Sequence, residues 1–120
     1  MTQKTALHDQ IGANLAALDA VPGFSAERLW LTVYLSGHPD ELRLVAEALS
    51  AEGWRNTGDW ESAFLYPKVE VERTVPSIVA VARRVQTLCE LHAVDLLNID
   101  ADTSCDVQTS RFVTLYLSHR

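Results

Sequence analysis

Cysteine is scarce in this chain: its 120 residues hold two, Cys89 and Cys105. Neither stands in a Cys-x-x-Cys pair, which excludes a disulfide framework and leaves no zinc or dithiol redox motif. The five glycines are scattered at positions 12, 23, 37, 53 and 58, so no phosphate-cradling glycine loop is present. Long apolar runs are missing as well. Met1-Thr2-Gln3-Lys4-Thr5 leads into an amphipathic segment rather than the apolar stretch of a signal peptide, and nothing approaches a membrane span. A cytoplasmic location without a membrane partner is the expectation. Positive charge is in deficit, ten Lys and Arg against sixteen Asp and Glu, for a net charge of −6. That balance repels a phosphate backbone and speaks against direct nucleic-acid binding, while it suits docking onto a protein with a basic surface.

Catalytic motifs are also lacking. Asp100-Ala-Asp102-Thr-Ser-Cys-Asp106 begins like a calcium loop, but the glycine required at its sixth position is Cys105 and the bidentate glutamate at its twelfth is Arg111. The segment is therefore expected to be a solvated acidic hairpin loop. His8, His38, His92 and His119 form no pair at helical metal-site spacing, and no Gly-x-Ser-x-Gly elbow accompanies the serines. No catalytic residue, metal or cofactor is expected. Cys89 falls on the apolar stripe of its helix, the place of a small core residue.

What is present is a chain of ordinary globular composition, 48% hydrophobic and 22% charged, long enough for a single domain over 1–120. Leu7, Ile11, Leu15 and Leu18 mark one face of a helix over residues 4–19, ended by Val21-Pro22-Gly23; residues 1–24 are thus a helix and linker. Arg28–Ser36 alternates as a strand. Pro39, followed by Asp40 and Glu41, opens a helix to about residue 52 with Leu42, Val45, Ala46 and Leu49 inward. Trp54–Asp59 reads as a short strand or turn, Trp60–Tyr66 as a strand, Pro67 as a break, and Lys68–Thr74 as its continuation. A second helix runs from Thr74-Val75-Pro76 to His92 with Ile78, Val81, Ala82, Val85, Leu88 and Cys89 on one face. Strands over 94–101 and 111–118 flank a loop. The core over 28–118 has the order of a ferredoxin-like split βαβ unit, an α/β (α+β) antiparallel sheet with two helices on one face, extended by the N-terminal helix and a final C-terminal strand.

Strand parity divides the sheet. Leu29, Leu31, Val33 and Leu35 oppose Trp30, Thr32, Tyr34 and Ser36; Ala63 and Leu65 oppose Trp60, Phe64 and Tyr66; Leu97 and Ile99 oppose Asn98 and Asp100; Val113, Leu115 and Leu117 oppose Phe112, Thr114 and Tyr116. The aliphatic side suits the two helices. The aromatic side, with Trp30, Tyr34, Trp60, Phe64, Tyr66 and Tyr116 as candidate binding residues, would be a large bare patch. Three covers fit it: the N-terminal helix through its four aliphatic residues, a protein partner or second copy, or a small ligand. Base stacking is not expected, because no basic glycine-aromatic segment accompanies the rings.

The strand Leu31-Thr-Val-Tyr-Leu35, the helix end Leu49-Ser-Ala-Glu-Gly53-Trp54, Trp60 opening a strand, and Lys68-Val-Glu-Val71-Glu-Arg-Thr-Val75-Pro76 before a long helix resemble the ribonuclease E inhibitor protein B family of bacteria over about residues 30–100. That resemblance implies an acidic, ferredoxin-like, non-catalytic protein that binds the basic regulatory region of a ribonuclease. The sequence thus leads to the expectation of a non-enzymatic interaction module and regulator, or alternatively of a small-ligand-binding or enzymatic ferredoxin-like domain that uses the aromatic face.

Overall fold

A computed structural model of the chain describes residues 3–24, 27–57, 63–104 and 112–118. Its centre is β1 (Arg28–Ser36), whose strict alternation lets it take antiparallel partners on both sides. On one side run β2 (Phe64–Leu65) and β3 (Lys68–Glu72); on the other lies β4 (Asp95–Asp102), which pairs in turn with β5 (Phe112–Leu117). β2 and β3 share one register against β1, Leu65 opposite Leu35 and Lys68 opposite Thr32. Pro67 interrupts them because it has no N–H to give, although its carbonyl still accepts from Val33 N at 3.0 Å. Beyond β3, the expected strand near Trp54 shrinks to one bridge, in which Arg55 and Lys68 exchange backbone hydrogen bonds of 2.7 and 2.8 Å. The expected strand start at Trp60 lies outside the described residues.

The helices end where local chemistry stops them. α2 (Pro39–Ala51) is capped by the His38 imidazole, which accepts from Asp40 N, and Gly53 leaves it at φ 92°, a conformation open to glycine at no steric cost. α3 (Val75–His92) starts on Thr74, whose hydroxyl accepts from Ser77 N. Both bury their aliphatic faces in the core cluster that also holds Leu29, Leu31, Val33 and Leu35. No helix among the described residues is long and apolar enough to cross a membrane.

α1 (Gln3–Ala16), continued by a 3₁₀ turn over Ala17–Ala20, buries Leu7, Ile11, Leu15 and Leu18. Their partners are not Trp30, Tyr34 and Phe64 on the other face: α1 packs beside α3 and against β5, on the same side of the sheet as the other helices. Its polar residues explain the choice. The Gln10 side-chain amide donates to Leu117 O at 3.2 Å and accepts from Leu117 N at 3.0 Å, while Asn14 donates to Leu115 O at 3.0 Å. Two amides thereby satisfy the outer edge of β5, which would otherwise offer open backbone groups to another strand.

Two irregularities in register overturn parts of the parity reading. Between Tyr34 and Leu35 the pairing with β4 skips a residue, so Leu96 faces Leu35 in the core and Leu97 is pushed outward. Between Ile99 and Asp100 the pairing with β5 also shifts: Asp100 meets Thr114, but Ile99 meets Tyr116. Such a bulge reverses the alternation beyond it. Tyr116 turns into the core at 4% exposure, and Leu117, read from the sequence as inward, is exposed.

Ile11→Ala, at a fully buried position of α1, is expected to cost roughly 2–5 kcal/mol of unfolding free energy. Urea denaturation followed by far-ultraviolet circular dichroism measures it, and a change under about 0.5 kcal/mol would show that α1 is not part of the core.

Candidate functional site

None of the described helices covers the second face of the sheet, so what that face carries decides what the chain can bind. Its rungs follow from register. Glu70, Trp30, Asp102 and Phe112 lie across one rung; Lys68, Thr32, Asp100 and Thr114 across the next; then Tyr34, Asn98 and Leu117; and finally Phe64 beside Ser36.

At the centre sits a buried polar cluster. Lys68, Asp100 and Asp102 are 6%, 3% and 5% exposed. The Lys68 ammonium donates to Asp102 Oδ2 at 3.0 Å and to Thr32 Oγ1 at 2.5 Å, and the Thr32 hydroxyl donates in turn to Asp102. Asp100 carries no salt bridge among those found in the described residues; instead its Oδ1 accepts from Asn98 Nδ2 at 3.1 Å and from Thr114 Oγ1 at 2.8 Å. Among the described residues no buried side-chain nitrogen or oxygen is left without a partner. The expectation of a solvated acidic loop from Asp100 onward is therefore corrected. Asp100 and Asp102 belong to β4, and the loop proper, with Cys105, lies outside the described residues.

Tyr34 joins this cluster. Burial, together with the charge of Asp100 and a hydrogen bond to that carboxylate, pushes its phenol up to about 12, with Asp102 and Tyr66 adding in the same direction. An aromatic row continues from it: the Tyr34 and Tyr66 rings meet edge to face at 5.2 Å, and Phe64 stands nearly parallel to Tyr66, 7° between planes and 6.4 Å between centroids. Both Phe64 and Tyr66 are 41% exposed. At the opposite end the Arg55 guanidinium lies over Trp30 at 5.6 Å from the ring centroid.

Of the six residues singled out from the sequence, the fold brings Trp30, Tyr34, Phe64 and Tyr66 onto this face. Trp60 lies outside the described residues. Tyr116 lies on the other side, where burial raises its phenol and a hydrogen bond with Gln86 of α3 partly offsets the rise. It lines a cavity of about 440 Å³ with Gln86, Glu90 and Cys89. Burial, with Asp95 and Glu90 adding, pushes the Cys89 thiol up to about 12, so this cysteine is a core residue rather than a nucleophile. Sequence reasoning missed Lys68, Asp100 and Asp102. Their signal was available, since they share parity with Thr32, Asn98 and the aromatic residues.

Comparison of the chain with protein-family models, with curated proteins and with solved structures gives no match.

Two outcomes are expected. Lys68→Met leaves Asp102 buried without its cation and should cost about 3–5 kcal/mol in chemical denaturation, more than the double variant Lys68→Met/Asp102→Leu, which removes both charges. The raised Tyr34 phenol contributes stability that is complete below its ordinary value of 10.0 and is lost as pH climbs towards 12, because only the unfolded chain ionises in that window. Tyr34→Phe should accordingly flatten the alkaline fall in melting temperature and remove one late phase from the phenolate absorbance titration.

Proposed function

We propose that this chain is a protein-binding module whose second sheet face, on which none of the described helices lies, docks a partner with a basic surface. The observation that carries the reading is that face itself: exposed rings at Phe64, Tyr66 and Phe112 surround a rigid, hydrogen-bonded floor that includes two buried carboxylates. Aromatic residues around a water-excluding centre are the composition of protein interfaces. Net charge of −6 favours a cationic partner and weakens the case for pairing with a second copy, since like charges would meet.

The finer fold assignment belongs to the same proposal. The strand order β2/β3, β1, β4, with α2 and α3 on one side and the Arg55 bridge at the margin, supports a ferredoxin-like split βαβ core in which the second strand has been reduced to one residue pair. The likeness of residues 30–100 to inhibitors of ribonuclease E supports a ribonuclease, approached through a basic segment, as the class of partner, with regulation as the consequence of binding.

An oligolysine peptide tests the reading by calorimetry at low and at high salt. Binding should weaken steeply as salt rises. Phe64→Arg, at an exposed position of β2, should abolish it, whereas Leu91→Arg, 73% exposed on α3, should not. Equal loss in both variants, or binding indifferent to both, would sink the proposal.

A further inference from the structure

The charges of the described residues on this face are not spread evenly. The described cations lie at its centre and toward one end, each with a partner: Lys68 is held by Asp102 at the centre, Arg28 lies 3.5 Å from Glu70, and Arg55 lies over Trp30. At the other end stand Tyr34, Asn98 and Leu117, Phe64 and Ser36, with Tyr66 against Tyr34; these side chains carry no positive charge. Asp95, exposed, is in register with Ser36 at that end. The two ends therefore differ in what they can accept. One has its cations already; the other offers exposed ring faces on a chain of net charge −6.

The shape of that second end narrows the partner chemistry further. Phe64 and Tyr66 are side chains two residues apart on one edge path, held nearly parallel and both open to solvent. Tyr34 meets Tyr66 from the side by its edge contact. A flat, weakly hydrated cation matches parallel rings better than a compact ammonium does, because a guanidinium can lie along a ring face over its whole area. The chain makes such a contact within itself, where Arg55 covers Trp30.

We propose that the parallel pair Phe64 and Tyr66 receives an arginine side chain of the partner, so that the face selects arginine over lysine at this end. The inference rests on the docking function proposed above and adds to it the identity of one contacting side chain. The Tyr66 and Phe64 rings supply the stacking surface, the chain's net charge of −6 favours a cationic side chain there, and Tyr34 acts as a positioning residue for Tyr66.

Titration of the full chain with an oligoarginine peptide and an oligolysine peptide of equal length tests it. At moderate salt the arginine peptide should bind about fivefold more tightly or better, the size of one or two cation–π contacts. Phe64→Ala and Tyr66→Ala should each bring the two affinities together, while Phe64→Tyr and Tyr66→Phe, which keep the rings, should retain the preference. Because both positions are exposed, circular dichroism should show these variants folded. Equal binding of the two peptides to the parent chain overturns the arginine selection and leaves the basic-partner reading standing; binding of neither overturns both. A concentration-dependent dimer that excludes both peptides would overturn the inference in favour of a second copy as the occupant.

Discussion

Lys68 on β3 reaches past the central strand to Asp102 on β4, with Thr32 of β1 between them as a shared hydrogen-bonding partner. Three strands are tied by one ammonium group. The cost of burying these charges is large, and it is recovered only when all three groups are in place, so the cluster works as a check on register. Were β3 or β4 to slip by one residue against β1, Lys68 or Asp102 would turn into the aliphatic layer among Leu29, Leu31 and Val33 without its partner. Much of this face depends on the same registration: the position of Asp100 with its bonds from Asn98 and Thr114, and the placement of Tyr34 against Tyr66.

Much of this was legible in the sequence, for physical reasons that differ from element to element. β1 was readable because its alternation is unbroken, and α2 and α3 because each combines a 3.6-residue apolar stripe with a proline start and a definite stop. The aliphatic side of the sheet followed from the same parity. Tyr116 and Leu97 were misplaced because parity arithmetic assumes unbroken ladders, and a bulge leaves little local trace in composition. Asp102 read as the start of a loop and the acidic run from Asp100 as solvated, because carboxylates so close together ordinarily are; only the distant Lys68 and Thr114, with the neighbouring Asn98, make their burial tolerable. Nor could α1 be assigned a side, since its four aliphatic residues would fit either face. What decided it were Gln10 and Asn14, two polar residues whose bonds with the β5 backbone no periodicity argument would weigh.

The second face of the sheet combines two properties that usually compete. Rings on a soft support would reorient to suit many partners, but here they stand on a floor of buried, hydrogen-bonded side chains that resists distortion. Preorganisation of that kind reduces the ordering cost of association. It also confines adaptation to the exposed ends of the rings at Phe64, Tyr66 and Phe112.

The pairing of α1 with β5 bears on how the chain comes to be folded during synthesis. Gln10 bonds a residue 107 positions later, and Asn14 one 101 positions later. The packing of α1 is therefore completed only after β5 has been synthesised, although α3 can shelter part of its aliphatic face before that. β1, α2, β3, α3 and β4 can assemble before that, from contacts of shorter span. The docking of α1 onto β5 then joins segments about a hundred residues apart, and a chain arrested before residue 112 would leave the β5-facing part of α1 and the outer edge of β4 without their partners.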